Sequence, residues 1–95
     1  MNMIKRFNKR KQENQKECFK KRIETYKNKV ESATDITEAH FFTTMIYGAG
    51  ELAGDLGLIS DSEKNAIFLE NLHIYQKQID IIKKLQKNRE NNTEE

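Results

Sequence analysis

Four residues in this chain carry side chains that could do chemistry. Glu70 and His73 form a Glu-x-x-His pair, the i, i+3 arrangement that supplies metal ligands in di-iron helical bundles. Cys18 precedes two cations, Lys21 and Arg22, by about one helical turn, and cations of this kind favour a reactive thiolate. His40 is a candidate general base.

The helical positions of these residues argue against each of these roles. Glu70 and His73 share the polar side of their predicted helix, so that the ligands would face water. Cys18 has no His near it in sequence, and we expect a buried thiol at the edge of a packing face. His40 falls at the boundary of a core face, as a half-buried polar residue. We therefore predict no metal, no cofactor and no enzymatic activity.

A glycine-rich segment suggests a different chemistry. Gly48, Gly50 and Gly54 follow an apolar run in a spacing close to a dinucleotide-binding turn, but that turn needs flanking strands, which the chain has no room to form. Each glycine inside a helix costs about 1 kcal/mol relative to Ala. We interpret Gly50, Gly54 and the adjoining Thr43 and Tyr47 as a surface where a helix packs closely, either helix 1 or a partner's helix.

Charge is distributed very unevenly along the chain. The first thirty residues contain eleven Lys or Arg and three Glu, a net charge of +8, whereas the other sixty-five contain six bases and twelve acids, a net charge of −6. Such an asymmetry favours contact with a polyanion or with an acidic protein surface.

The basic residues of this segment are also ordered. Five lysines recur at spacings of 4, 7, 4 and 7, which confines them to a sector of about 60° on a helix. With Arg10, they are the residues that we predict to bind nucleic acid or an acidic partner: Lys5, Lys9, Lys16, Lys20 and Lys27. Two alternatives stay open, namely a solvated face and neutralisation by the acidic segment 31–70. No zinc-finger spacing or RNA-binding signature is present. Helix 3 would be the reading helix of a helix-turn-helix, but its exposed positions have no basic excess, so sequence-specific reading of DNA is not expected.

Capping signals and periodicity predict an all-α protein. Asp35 with Glu38, and Ser60 with Glu63, are helix-start signals, and Gly57 is a stop signal. They predict helices at about 3–32, 36–56 and 61–90, with a long basic N-terminal helix packed on an antiparallel hairpin. We divide the chain into a basic arm at 1–15, a three-helix domain at 16–90 and a disordered acidic tail at 91–95.

The apolar positions predict which helix faces are buried. In helix 2 they form an arc of about 140° at helical spacing, with these members: Ala39, Phe42, Met45, Ile46, Ala49, Leu52, Ala53 and Leu56. Helix 3 has one stripe that includes Phe68 and Tyr75, and a second row of Ile67, Ile74 and Ile81. Because this surface is broader than one neighbour covers, we predict that it touches either two elements, or one element and the second protomer of a homodimer.

Length and composition limit the remaining possibilities. No apolar run approaches the ~20 residues that cross a bilayer, and a single cysteine agrees with a reducing compartment, so we predict a cytoplasmic protein with no membrane contact. We predict a non-enzymatic interaction or regulatory protein that docks its basic helix on nucleic acid or on a nucleic-acid-handling complex. The alternative is an adaptor or inhibitor that binds a protein through helices 2 and 3. Short, charge-segregated chains rich in Lys, Asn and Ile are typical of regulators and inhibitors that phages and mobile elements encode.

Overall fold

The structure is a computed structural model that describes residues 2–93, with the side chains of residues 9–90. It consists of three α-helices: α1 (Asn2–Glu31), α2 (Ile36–Asp55) and α3 (Asp61–Thr93). Between residues 2 and 93 there is no β-strand. The prediction of an all-α, three-helix protein with a long basic N-terminal helix on a helical hairpin is therefore confirmed.

Both predicted start signals act as helix caps. The Asp35 carboxylate accepts a hydrogen bond from the Glu38 backbone N–H at 2.7 Å, at the N-terminus of α2. At α3 the Ser60 hydroxyl accepts from the Glu63 N–H at 3.1 Å, and the Glu63 carboxylate accepts from the Ser60 N–H at 3.2 Å. This reciprocal pair is a capping box, and it satisfies two N–H groups that lack a partner within the helix.

Gly57 ends α2 in a left-handed conformation, with φ at +71°. The Leu58 N–H donates to the Ala53 carbonyl at 2.9 Å, and the Gly57 N–H donates to the Gly54 carbonyl at 3.0 Å. These two bonds form a Schellman motif, in which a residue with a side chain would be strained at the position of Gly57. The chain then reverses within a few residues, which makes α2 and α3 antiparallel.

The molecule is a rod 75 Å long and 19 by 14 Å across. Because α2 spans only twenty residues, about 30 Å at 1.5 Å per residue, the longer helices α1 and α3 extend past it. They run parallel to each other and project at opposite ends of the bundle. The N-terminal half of α1 continues as a helix beyond the α2–α3 turn, so the segment predicted as an arm is helical from Asn2. Helix α3 likewise continues to Thr93, into the segment predicted to be disordered.

Two small clusters of buried residues form the core. Ile23, Val30 and Ile46 join α1 to α2, and Ala33, Ala39 and Ile82 close the end near the α1–α2 turn. A buried hydrogen bond reinforces that end, where the Gln78 amide donates to the Ala33 carbonyl at 2.8 Å.

The buried face of α2 differs from the predicted arc. Ala39, Ile46 and Ala53 are buried as predicted, but Met45, Leu52 and Leu56 are exposed. Their places in the interior are taken by two small residues, Thr43 and Gly50. Small side chains let α3 approach closely, which rotates the packing face by about 70° from the centre of the apolar arc. A large part of the apolar surface of α2 is therefore left facing outwards.

Helix α3 contacts both other helices, the first of the two predicted alternatives. Ile67 and Ile74 pack on the cluster shared by α1 and α2, and Tyr75 and Ile79 pack beside Ala39. Between these rows runs a buried polar line of Asn71 and Gln78. Ile81 lies at the rim, 40% exposed. Two neighbouring helices thus cover much of this apolar surface, although Leu72 is also 40% exposed.

Candidate functional site: the outer basic face of helix α1

The predicted lysine row of α1 turns towards α3. Lys27 is only 8% exposed, and its ammonium nitrogen lies 2.9 Å from a carboxylate oxygen of Glu70 and 3.4 Å from one of Glu24. Burial by itself lowers the pKa of Lys27. The hydrogen bond and charge of Glu70, with those of Glu24, outweigh the burial and raise the pKa above its ordinary value. Lys27 is therefore a structural cation in this structure and is not open to a polyanion.

Lys16 is held by α3 as well. Its ammonium lies 3.2 Å from the Glu63 carboxylate. The Ser60 N–H and then Lys16 stabilise the charged carboxylate and lower the pKa of Glu63. Lys9 and Lys20 are exposed, and the side chain of Lys5 lies outside the described residues. The row is therefore divided, with two members paired to α3 and two open to solvent.

Neutralisation by the acidic segment, one of the alternatives that the sequence left open, thus accounts for Lys16 and Lys27. Sequence reasoning grouped the five lysines because they share one side of α1, and that side faces α3. A lysine can lie at such a contact because its long alkyl stem packs against apolar surface while its head reaches a carboxylate at the rim. The signal that could have revealed this is the spacing of the lysines, which runs beside the apolar positions Phe19, Ile23 and Val30.

A different set of cations is open on the opposite side of α1. These five residues are all exposed and make no ion pair with the described residues: Arg10, Lys11, Lys21, Arg22 and Lys29. We call this set the outer basic face. Of its members only Arg10 belongs to the predicted binding residues. Lys11, Arg22 and Lys29 fall within about 20° of one another, and Arg10 and Lys21 form a second line about 100° away.

Acidic residues of α1 lie apart from the line of Lys11, Arg22 and Lys29, but next to the line of Arg10 and Lys21. Glu13, Glu17, Glu24 and Glu31 cluster on the side of the helix next to α3, within about 40° of one another at helical spacing. The line of Lys11, Arg22 and Lys29, by contrast, lies on the side of α1 that borders α2. Helix α1 therefore exposes a negative edge towards α3 and a positive edge towards α2, over a length of about 30 Å from Arg10 to Lys29.

A groove runs between the outer basic face and the C-terminal half of α2. Its lining combines Arg10 and Lys11 with Cys18, Leu56 and Leu58, and it encloses ≈ 780 Å³. It continues along Arg22, Ala49 and Leu52. Cys18 is exposed in this groove, so the prediction of a buried thiol was wrong. The residue lies on the α2 side of α1, next to the packing face but turned out of it.

The predicted glycine surface is covered by α3. An added methyl group at Gly50 would meet the Phe68 ring edge at 2.5 Å, and Tyr47 packs against the same ring with centroids 4.9 Å apart. Gly54 faces the alkyl stem of Lys64 at 3.4 Å, and Thr43 is buried. Close packing is the correct reason for Gly50, but the approaching helix is α3 and not α1, and Gly54 makes only an ordinary contact with a flexible lysine stem.

The residues first considered for chemistry do not come together. Glu70 binds Lys27, and His40 is exposed beside Tyr75, where a half-buried position was predicted. Among the described residues no three His, Cys, Asp or Glu side chains converge in a way that could hold a metal ion. Within the same part of the chain, no helix combines the length and the apolar character needed to span a bilayer.

No protein-family model matches this chain, and searches of curated proteins and of solved structures found no match.

Proposed function

We propose that this protein is a non-enzymatic interaction protein that docks helix α1 on nucleic acid, or on a nucleic-acid-handling complex, through the outer basic face. The observation that supports this proposal is the set of five exposed cations on one side of α1 that have no carboxylate partner among the described residues. These five cations can contact phosphates without breaking an ion pair inside the protein. Lys16 and Lys27, by contrast, would have to break their ion pairs with Glu63 and Glu70.

The dimensions of the face suit a phosphate backbone. Lys11, Arg22 and Lys29 lie along α1 at intervals of about 16 and 10 Å. The second line of Arg10 and Lys21 widens the face, and Asn14 and Asn28, both exposed, supply hydrogen-bond donors between the cations. Binding of this kind depends on charge and is largely independent of base sequence.

The direct test is titration of fluorescent duplex DNA and single-stranded RNA with the protein at several salt concentrations. Phosphate contacts release counterions, so the affinity for duplex DNA should fall with a log–log slope of about 0.9 per contact. A five-fold variant of the outer basic face, with each cation replaced by Gln, should lose up to about 4 units of this slope. Circular dichroism should show the variant unchanged in helicity.

Two results would overturn the proposal. One is absence of binding by the parent protein at about 50 mM salt, where electrostatic association is strongest. The other is an equal slope for the parent and for the folded five-fold variant, which would mean that other residues hold the phosphates.

The second candidate function is an adaptor or inhibitor that binds a protein. The surfaces first predicted for it are largely internal: Gly50 and Thr43 are buried and Ile67 and Ile74 pack on the core. A different observation supports this candidate, namely the apolar side chains that α2 leaves exposed. Regulators and inhibitors of the phage or mobile-element type are a class that fits either candidate.

A further inference from the structure

Helix α2 carries an unpartnered apolar row on its outer surface. Its four members are exposed to 57% at Phe41, 37% at Met45, 60% at Leu52 and 61% at Leu56. They are spaced 4, 7 and 4 residues apart and lie within about 60° of one another around the helix. Gly48 lies within the row, and nothing would meet a methyl group there within 4 Å. The four side chains lie at i, i+4, i+11 and i+15, with Gly48 at i+7, so they line one side of α2 at the helical spacing of the anchors through which two helices pack.

One side of this row is bordered by cations. The groove that contains Leu52 and Leu56 also contains Arg22, and further along it contains Arg10 and Lys11. Lys29 extends the same line of α1 towards the Phe41 end, since Tyr26 and Phe42 are in contact there with ring centroids 6.3 Å apart. The other side of the row carries Asp55, with no cation in the same line of α2.

From this asymmetry we infer that the apolar row of α2 is a docking site for an amphipathic helix of a partner protein whose apolar row has an acidic flank on one side only. The apolar side chains would fill the groove, and the acidic flank would lie along Lys11, Arg22 and Lys29. This inference rests on the second function proposed above, and it names the chemistry of the partner. The site would recognise such a helix by its apolar side chains together with the position of its acidic residues.

A second copy of this chain fits the site less well. The row is nearly symmetric about Gly48, so two copies could pair α2 with α2 in antiparallel orientation. The two-fold axis would then lie in the interface and perpendicular to both helices, which places α1 of both copies on the same side. Arg22, level with Ala49, would approach its own counterpart, and Lys11 would approach Lys29 of the other copy. Like charges along the whole flank oppose that dimer.

The experiment is selection from a displayed library of amphipathic helices. All members carry the same Leu row at spacings of about 4, 3 and 4, and each flanking position varies among Glu, Gln and Lys. We expect enrichment of Glu on one flank and no such enrichment on the other. The selected peptide should slow alkylation of Cys18 by iodoacetamide, because the thiol lies in the occupied groove.

Matched variants locate the site. Leu52→Glu should weaken binding of the selected peptide by at least about tenfold. Leu69→Glu, at a side chain of α3 that is 61% exposed compared with 60% for Leu52, should leave the affinity unchanged. Both variants keep all five cations, so their binding to DNA reports separately on the outer basic face.

Four results would overturn the inference. They are no selection above background, enrichment of Lys or of both flanks, unchanged affinity of the Leu52→Glu variant, and unchanged alkylation of Cys18 in the complex. A dimer in light scattering at ~100 μM that Leu52→Glu abolishes would assign the row to a second copy. If the five-fold variant loses DNA binding but the peptide experiments give any of these four results, the docking inference is wrong and the proposed binding of nucleic acid is retained.

Discussion

At the scale of single residues, the three glycines inside α2 have different surroundings. Gly48 faces open space, Gly54 faces a flexible lysine stem, and Gly50 faces the rigid ring of Phe68. Sequence reasoning correctly predicted that a helix packs closely on this segment. It could not assign the contact to one glycine, because the rotation of α2 depends on how tightly α3 fits against Gly50 and Thr43.

We therefore predict opposite signs for substitutions at these glycines. Gly48→Ala and Gly54→Ala should raise the free energy of unfolding by up to about 1 kcal/mol, since Ala stabilises a helix relative to Gly. Gly50→Ala should lower it by about 1–3 kcal/mol, because the methyl group overlaps Phe68. Urea denaturation of the three variants measures all three values. A Gly50→Ala variant more stable than the parent would contradict the packing described.

Another residue-scale feature is the set of buried polar atoms without partners. The Thr43 hydroxyl and both amide atoms of Asn71 are buried and have no hydrogen-bond partner among the described residues. A buried unsatisfied group of this kind costs about 1–3 kcal/mol. Sequence patterns did not predict this, because Asn71 falls between two apolar rows that were each interpreted as the packing face.

Thr43→Val, which removes this hydroxyl at constant shape, should raise the free energy of unfolding by about 1 kcal/mol. Thr44→Val is the matched control, since the exposed Thr44 hydroxyl donates to the His40 carbonyl at 2.9 Å. The control should show no gain. Thermal and urea unfolding of both variants measure the difference, and a loss of stability in Thr43→Val would mean that the hydroxyl does have a partner.

At the scale of the helices, the sequence was sufficient for their number, their caps and their order. The caps depend on local side chains such as Asp35, Ser60 and Gly57, and local signals survive in any tertiary context. Which face of each helix is buried depends on the other helices that pack against it. A periodic row of lysines indicates a shared side of α1, but the pairing of that side with Glu63 and Glu70 becomes visible only when α1 and α3 are known to run parallel.

The contact between α1 and α3 predicts a specific dependence on pH. Because the folded pKa of Lys27 is raised, its contribution to stability is fully present below the ordinary lysine pKa of about 10.4 and is lost as the pH rises through the higher folded value. The parent should therefore lose more stability between about pH 9 and pH 11.5 than Lys27→Met does.

The control for this prediction is Lys20→Met, which removes an exposed lysine from the same side of α1. The stability of this control should follow that of the parent over the whole pH range. Urea unfolding at each pH gives the curves. Parallel curves for the parent and Lys27→Met would show that the ion pairs with Glu70 and Glu24 contribute nothing to folding.

At the scale of the whole molecule, charge and apolar surface are arranged by side. The negative edge of α1 lies on the side next to α3, and its Glu24 pairs with Lys27 within α1 itself. The outer basic face and the apolar row of α2 lie together on the other side. The uneven charge along the sequence predicts a polyanionic or acidic partner, and this stays a prediction, because net charge alone does not separate cations paired inside the bundle from those left open.

The central claim is that the outer basic face, and not the lysines paired to α3, contacts the polyanion. Two double variants, each of which removes two positive charges, test it most directly. The first combines Lys21→Gln with Arg22→Gln, and the second combines Lys16→Gln with Lys27→Gln. We expect the first pair to reduce the salt slope for duplex DNA by about 2 units and to weaken binding accordingly. The second pair should lower stability and leave the slope unchanged. A slope reduced as much by the second pair as by the first, in a protein shown by circular dichroism to be folded, would contradict the claim.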